Sequence, residues 1–328
     1  MSTFKAFWVE KTEDDVKHSI VERELSELPE GEVLISVQYS SLNYKDALSA
    51  KGAPGVTRNY PHTPGIDAAG TVVESSVSAF KEGDEVIVIG FDLGMNTPGG
   101  YGQYIRVPAN WVTALPDPIT MREAMVIGTA GLTAALCLEK LELMGAKPAD
   151  GPVVVTGASG GVGSVAVALL ASQGFDVIAS SGKADKADYL RSLGAKEVIE
   201  RKTLEEENKR PMGAELYAHG IDTVGGETLS NVIKQLQYGG SVAICGLVAS
   251  PAFNTTVLPF ILRGVNILGV DSVELPIAAK NKTWQRLATD WRLTSLDAMT
   301  REVTLDQLSA EIDSIFAGQV TGRTLVKL

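Results

Sequence analysis

The sequence has 328 residues, 45% hydrophobic and 21% charged, with 29 Lys and Arg against 40 Asp and Glu for a net charge of −11. That balance excludes a disordered or coiled-coil chain, and it leaves no broad basic face for nucleic acid or an anionic membrane. At about 150 residues per domain, the length predicts two domains. No stretch reaches the roughly 20 uninterrupted apolar residues of a membrane helix, and MSTFKAFWVEKTEDDVKH turns acidic too early for a signal peptide. The two cysteines, Cys137 and Cys245, sit in the apolar runs AALCLEKL and SVAICGLV. They are expected as buried free thiols, in keeping with a reducing cytoplasm.

Up to about residue 118 the chain reads as β-rich, with short runs such as VLISVQYSSL, AAGTVVESSV, DEVIVIG and YGQYIRV cut by Gly, Pro and Asp. Such texture predicts an irregular antiparallel sheet or barrel. From Ile119, ITMREAMVIGTAGLTAALCLEKLELMG has helical spacing and ends at Gly145, a C-cap. Six strands alternating with helices follow: GPVVV, FDVIASSG, KEVIE, GIDTVGG, SVAICGL and RGVNILGVDSV, with TLSNVIKQLQYGG as one of the helices. That alternation predicts a parallel sheet covered on both faces. TWQRLATDWRL and TLDQLSAEIDSIFAG read as helices, and the tail RTLVKL suits the first sheet. The prediction is α/β: a discontinuous β-rich domain of residues 1–118 and 276–328 around a doubly wound Rossmann domain of residues 119–275.

Between the strand at Val153 and an apolar helix lies Thr156-Gly157-Ala158-Ser159-Gly160-Gly161-Val162-Gly163-Ser164. It is not the strict G-x-G-x-x-G, but small residues at a strand-to-helix turn still let a backbone approach a pyrophosphate at the helix N-terminus. Gly163 is expected to allow close helix packing. An NAD site places a carboxylate about 20 residues on. Here that stretch is Ser180-Ser181-Gly182-Lys183, with Arg201 after the next strand. Hydroxyls and cations suit a 2′-phosphate, so the predicted cofactor is NADPH. The alternative for Lys183, a solvated helix start, is electrostatically poor.

These stretches, with PGIDAAG, FKEGDEVIV, GGYGQY and TAGLTA, resemble the medium-chain dehydrogenase/reductase superfamily over essentially the whole chain. The resemblance implies a GroES-like catalytic domain ahead of the Rossmann domain. Zinc-dependent members carry a Cys, a His–Glu pair and another Cys at positions that here hold Asn43, Ile66–Asp67 and Gly128–Thr129. His18, His62 and His219 show no metal-ligand spacing, so no metal is expected. Within the superfamily, SSLNYKDALSAKG, ADYLRSLGAKEVIER, IDTVGG, PFILRGVNILGVDSVELP and GRTLVKL resemble the zinc-free NADPH-dependent acryloyl-CoA reductases, historically called quinone oxidoreductases.

By that resemblance the activity is reduction of acryloyl-CoA to propanoyl-CoA. Tyr44 is implied against the nicotinamide and Ser159, Gly160, Gly161 and Val162 at the pyrophosphate. Ser181, Gly182, Lys183 and Arg201 fall at the 2′-phosphate, and Leu247, Ile261 and Ser272 at the nicotinamide end. The family often has Arg where Lys183 stands, which bears on the tightness of that contact. Tyr44 is the first candidate for substrate orientation or proton delivery. Asp67 is the candidate that orients Asn43, Tyr44 or a water. Arg323, Lys51 and Arg58 are candidates for the CoA phosphates, with Arg323 foremost. The strand at Arg263–Val273 predicts edge-to-edge pairing into a homodimer. The alternatives are an NADPH:quinone reductase and a crystallin-like or RNA-binding relative that binds NADPH without turnover; the acidic balance argues against RNA.

Overall fold

The structure, a computed structural model, describes residues 3–13 and 15–328. Two compact units emerge. One holds the chain up to Thr129 with Ser272–Ala288 and Leu296–Leu328, and the other holds Ala130–Asp271 with Thr289–Ser295.

In the first unit, Thr3–Lys11 and Val16–Glu24 form an antiparallel hairpin. The main sheet runs Thr300–Thr304, Arg323–Lys327, Val33–Leu42, Asp67–Ser75, Glu85–Ile89, Val112–Ala114, and Tyr104–Val107 also pairs with Val33–Leu42. Alternation along VLISVQYSSL sends Val33, Ile35 and Val37 into a core with Val72, Val86, Val88, Ile105 and Val107. The tail joins this sheet, as its sequence predicts: Leu325 faces Ser41 antiparallel and Glu302 parallel. Thr324 therefore pairs with Leu42, and Arg323 comes level with the strand's end. Tyr39 opposite Ala69 brings Ser41 up beside Asp67.

The second unit is a six-stranded parallel sheet in the order Glu197–Glu200, Val177–Ser181, Val153–Val155, Tyr217–Asp222, Leu236–Ile244, Asn266–Gly269. The first of these in sequence, Val153–Val155, is internal, and the chain winds away from it in both directions. The turn at its C-terminal end is therefore a topological switch point, where α/β sheets bind ligands. The six predicted strands are all present.

Two local readings need correction. The long helix Met121–Leu143 is broken at Gly128, whose φ of 50° and ψ of −160° are not helical. By length and composition it could cross a membrane, but 83% of its most apolar stretch is buried in the protein. The helix predicted to run through LQYGG stops at Gln235, and Leu236 to Gly240 already belong to the next strand.

Candidate active site

Asp67 opens its strand with no solvent exposure. A buried carboxylate needs donors, because the unpaired charge costs several kcal/mol. Its Oδ2 accepts from Ser41 Oγ, from Asn43 Nδ2 at 2.8 Å and from the Thr129 amide at 3.0 Å, and its Oδ1 accepts from Thr129 Oγ1 at 2.5 Å. Arg323, only 2% exposed, donates from Nη1 to Asn43 Oδ1 at 3.2 Å, from Nη2 to Ser41 Oγ at 2.9 Å, and from Nε to the Val126 carbonyl at 2.8 Å. Ser41 and Asn43 thus bridge an anion to a cation. The two partners also fix the Asn43 amide: its oxygen must face the guanidinium and its nitrogen the carboxylate. Burial pushes the Arg323 pKa down, and Asp67, Tyr101 and Asp46 pull it back.

Gly128 makes this cluster possible. A Cβ there would lie 2.6 Å from both Asp67 Oδ2 and Ser41 Oγ, and 2.8 Å from Arg323 Nη2. Its positive φ reverses the backbone, so that the Val126 carbonyl and the Thr129 amide both reach the cluster.

Asn43 precedes the short helix Tyr44–Ala50, and its backbone N–H donates to Asp46 Oδ2 at 2.8 Å. Asp46 Oδ1 accepts from the Ile66 amide at 2.9 Å, and the side chain also hydrogen-bonds Tyr101. Tyr101 in turn donates to the Ser41 carbonyl at 3.1 Å. Burial, followed by the nearby Asp67 charge, pushes the Asp46 carboxyl up from 3.8 to about 7. Tyr44 begins the helix with its ring 41% exposed and stacked on Phe316 at 6.3 Å. Its hydroxyl has no hydrogen-bond partner among the described residues.

In the second unit, Gly157 (φ 60°) turns the chain after Thr156. The Ala158 amide donates to the Ser180 carbonyl at 3.0 Å, and Gly160 precedes the helix Gly161–Ser172. A Cβ on Gly163 would stand 2.3 Å from the Gly157 oxygen, so this glycine allows the helix to seat against the loop. The helix's first turn holds no acidic residue and presents open amides. Asp222 backs the loop. Its Oδ1 accepts from Thr156 Oγ1 at 2.7 Å and its Oδ2 from the Gly225 amide at 2.7 Å.

Ser181 Oγ donates to Ser159 Oγ at 3.0 Å and accepts from the Lys183 amide at 3.1 Å, while the Arg201 amide donates to the Ser181 carbonyl at 2.9 Å. The Arg201 guanidinium lies over Gly182, where an added Cβ would be 3.0 Å from Cζ, and pairs with Glu205 at 2.7 Å. Ser159, Ser181, Gly182, Lys183 and Arg201 therefore converge at one end of the loop. Partial burial, then Lys186, lowers the Lys183 ammonium pKa. Leu247 and Ile261 are 63% and 69% exposed in this unit, and Ser272 is buried in the other.

The alcohol dehydrogenase GroES-like domain model matches residues 29–117, and the zinc-binding dehydrogenase model matches residues 161–291. The acrylyl-CoA reductase AcuI of Ruegeria pomeroyi is 46% identical over 325 residues, covering 98% of each chain. The chain belongs to the acryloyl-CoA reductase family of the medium-chain dehydrogenase/reductases. Solved relatives agree in fold. The yhdH oxidoreductase of Salmonella enterica, in complex with NADP, is 46% identical with a TM-score of 0.96 over 99% of both chains. The Bacillus subtilis protein yhfP, with NAD bound, is 42% identical with a TM-score of 0.97 over 100% of both.

Although the superfamily includes zinc enzymes, the residues here do not fit that ion. The three positions do converge, but they offer an amide, a carboxylate and a hydroxyl, and the Arg323 guanidinium already bridges the amide and Ser41. Zinc sites are built from thiolate, imidazole and carboxylate. Among the described residues, no three His, Cys, Asp or Glu side chains could hold a metal.

One sequence expectation for the CoA phosphates, Arg323, is corrected. Arg323 is buried with its donors directed at Val126, Ser41 and Asn43, and Lys51 is ion-paired with Asp313. Arg58 is exposed beside Lys11, Thr57 and Tyr60 on an open cavity of about 510 Å³. Of its three expected targets, Asp67 accepts a hydrogen bond from Asn43 at 2.8 Å. Ser41, Asp46, Tyr101 and Thr129 were not anticipated; Asn43-x-x-Asp46 is a legible capping pattern that could have flagged Asp46.

Gly128→Ala is expected to cost at least about 2 kcal/mol, since overpacking adds to a strained φ; an unchanged urea midpoint would refute the tight fit. Asp46 gives a pH signature. Between pH 3.8 and about 7 the folded chain holds a proton that the unfolded chain has released, so this contribution is complete below 3.8 and is lost as pH rises through about 7. Asp46→Asn should be less stable at every pH, because its NH₂ must face one of two backbone N–H groups. It should also lose that slope in urea titrations, and an identical slope would contradict the assignment.

Proposed function

We propose that the protein is a cytoplasmic NADPH-dependent acryloyl-CoA reductase that adds hydride to the β-carbon and a proton to the α-carbon, giving propanoyl-CoA. Full-length similarity to AcuI carries the substrate reading. The cofactor reading is supported by a ribose end that offers Ser181, Lys183 and Arg201 and no acidic side chain at Ser180 to Lys183. In this reading Ser159, Gly160, Gly161 and Val162 hold the pyrophosphate, while Leu247, Ile261 and Ser272 serve the nicotinamide end. Residues 1–118 with 276–328 form the catalytic domain and residues 119–275 the nucleotide domain.

When bound, the dinucleotide supplies the hydride. The chain's own groups manage charge and protons. Hydride arrival at the β-carbon sends an electron pair onto the thioester oxygen, and a donor there lowers the barrier. Asn43 is that donor: Arg323 and Asp67 each use one face of its amide, which leaves its second N–H. Tyr44, braced by Phe316, delivers the α-proton. Asp67 and Arg323 act as positioning residues. Arg58 and Lys51 are the remaining candidates for the CoA phosphates.

Homodimer formation is part of the same reading. Asn266–Gly269 ends the parallel sheet, and Leu247, Val248, Val257, Ile261 and Leu262 are exposed apolar side chains in the preceding segment.

The deciding assay follows NADPH oxidation with acryloyl-CoA, crotonyl-CoA and a benzoquinone side by side. Fastest turnover with acryloyl-CoA is expected, and faster turnover with the quinone would favour the rival reductase. Lys183→Ala should raise the KM for NADPH by about tenfold or more, as expected for a charge-assisted bond, and leave that for NADH unchanged. Equal effects on both would remove the 2′-phosphate role. Tyr44→Phe should lower kcat by roughly a hundredfold for a lost proton donor; full turnover would hand that role to another group.

A further inference from the structure

Among the described residues, Phe91 is the one non-glycine with a positive φ, 54°. A bulky side chain rarely adopts that backbone, and it persists only where its surroundings over-determine it. Here several contacts do so, all within the first unit. The Phe91 amide donates to the Val273 carbonyl at 3.1 Å, and the Gly90 amide before it donates to the Ile66 carbonyl at 3.1 Å. The Phe91 ring stacks on Trp111 at 5.5 Å with 7° between the planes, and Lys280 Nζ stands 3.5 Å from the centroid of the same ring. The turn has little slack: a Cβ on Gly90 would lie 3.1 Å from the Val273 oxygen and 3.2 Å from Lys280 Nζ.

Lys280 lies on the helix Ile277–Ala288 and is 1% exposed. Its Nζ donates to the Ile89 carbonyl and to the Val273 carbonyl, both at 2.8 Å. Taking an ammonium out of water is unfavourable, and a methionine would fill the same space without that penalty. The charge is therefore explained by what it joins. Ile89 lies opposite Asp67 in the antiparallel pairing of their strands. Val273 follows Ser272 in an irregular segment between the strand Asn266–Gly269 and the helix Ile277–Ala288. Lys280 and Phe91 both grip that segment by the Val273 carbonyl.

We propose that Lys280 and Phe91 are positioning residues for hydride transfer, which lock the backbone at Ser272–Val273 to the strand end beside Asp67. The proposal rests on the reading of Ser272 as a residue of the nicotinamide end and of Asn43 as the donor to the substrate. The carbon that gives up the hydride must stand at a set distance from the β-carbon, and an error of about 1 Å costs on the order of a hundredfold in rate. Asp67 already holds Asn43 at 2.8 Å. A lock between Ile89 and Val273 therefore ties Asn43 and Ser272 to one frame.

The two side chains divide the work. The ammonium makes the two charge-assisted bonds, which are the stronger kind and fix both carbonyls at once. The ring gives the ammonium a π face in place of water. The left-handed backbone of Phe91 lets one residue offer its ring to Lys280 and its amide to Val273. In this role neither side chain touches the reacting atoms.

The test compares the full-length protein with Lys280→Met and Phe91→Leu. Folding is checked by circular dichroism and by the Kd for adenosine 2′,5′-bisphosphate, which carries the adenosine end of NADPH and no nicotinamide. That Kd should be unchanged. Lys280→Met should lower kcat with acryloyl-CoA about tenfold or more and leave the KM for acryloyl-CoA unchanged, the pattern of an interaction realised only in the transition state. Phe91→Leu should act in the same direction by less. NADPH deuterated at one of the two hydrogens of its reactive carbon adds a readout that stability does not move. The parent should pass a single isotope to propanoyl-CoA, and Lys280→Met a mixture, because a loosely seated nicotinamide can present either face. Parent kcat in the variants with unmixed label would overturn the proposal. An equal loss of bisphosphate binding would also overturn it, by marking a general loss of structure. If Lys280→Met does not fold, Phe91→Leu decides by the same outcomes. A parent that fails to oxidise NADPH with acryloyl-CoA would overturn the functional reading and the proposal with it, a result distinct from an active parent with indifferent variants.

Discussion

A carboxylate without solvent has to be answered by the protein, and the first unit is arranged around answering Asp67. Its donors come from three distant parts of the sequence: Ser41 and Asn43 at one strand's end, Thr129 after the break at Gly128, and Arg323 acting through Ser41 and Asn43. Removing one partner from such a set leaves a charge stranded and costs more than the set contributes as a whole. The cluster therefore ties the tail strand, the helix break and the start of the Tyr44 helix into one geometry. It contains Asn43, Asp67 and Thr129, which the family resemblance sets at the zinc-ligand positions of other members, and the Arg323 guanidinium beside them supplies positive charge of a different kind. A guanidinium can orient and donate hydrogen bonds, but it opens no coordination site to a substrate oxygen.

The nucleotide unit repeats the device. Asp222, buried at the end of its strand, accepts from Thr156 and Gly225 and so holds the loop from behind. Burial raises its pKa, and the Thr156 and Gly225 donors lower it again. In both units a buried aspartate at a strand terminus locks an adjacent loop. Loops so fixed hold Asn43 in one case and the first-turn amides in the other in a set geometry.

The strands were legible because their signal is local. Val153–Val155 and its neighbours are short apolar runs between helices, and RTLVKL is a short β-like tail. The missing carboxylate at Ser180 to Lys183 was equally plain. Gly128 was not, because a single glycine inside an apolar helical pattern reads as a tolerated cost of about 1 kcal/mol. Arg323 misled for a related reason. An isolated cation is usually solvated, and nothing near it in the chain reveals partners at Ser41 and Asn43. Helical and strand periodicity report which face is buried, but not which distant side chain awaits there.

The position of Arg323–Lys327 inside the first sheet has a consequence for biosynthesis. Its neighbours on either side, Thr300–Thr304 and Val33–Leu42, cannot be bridged until the last segment has been made. A chain emerging from the ribosome holds a complete set of strands for the parallel sheet by Gly269, while the Tyr39–Leu42 end of strand Val33–Leu42 still lacks its partner. The parallel-sheet fold can therefore assemble during translation, and the unpaired Tyr39–Leu42 end waits open for pairing with the wrong chain.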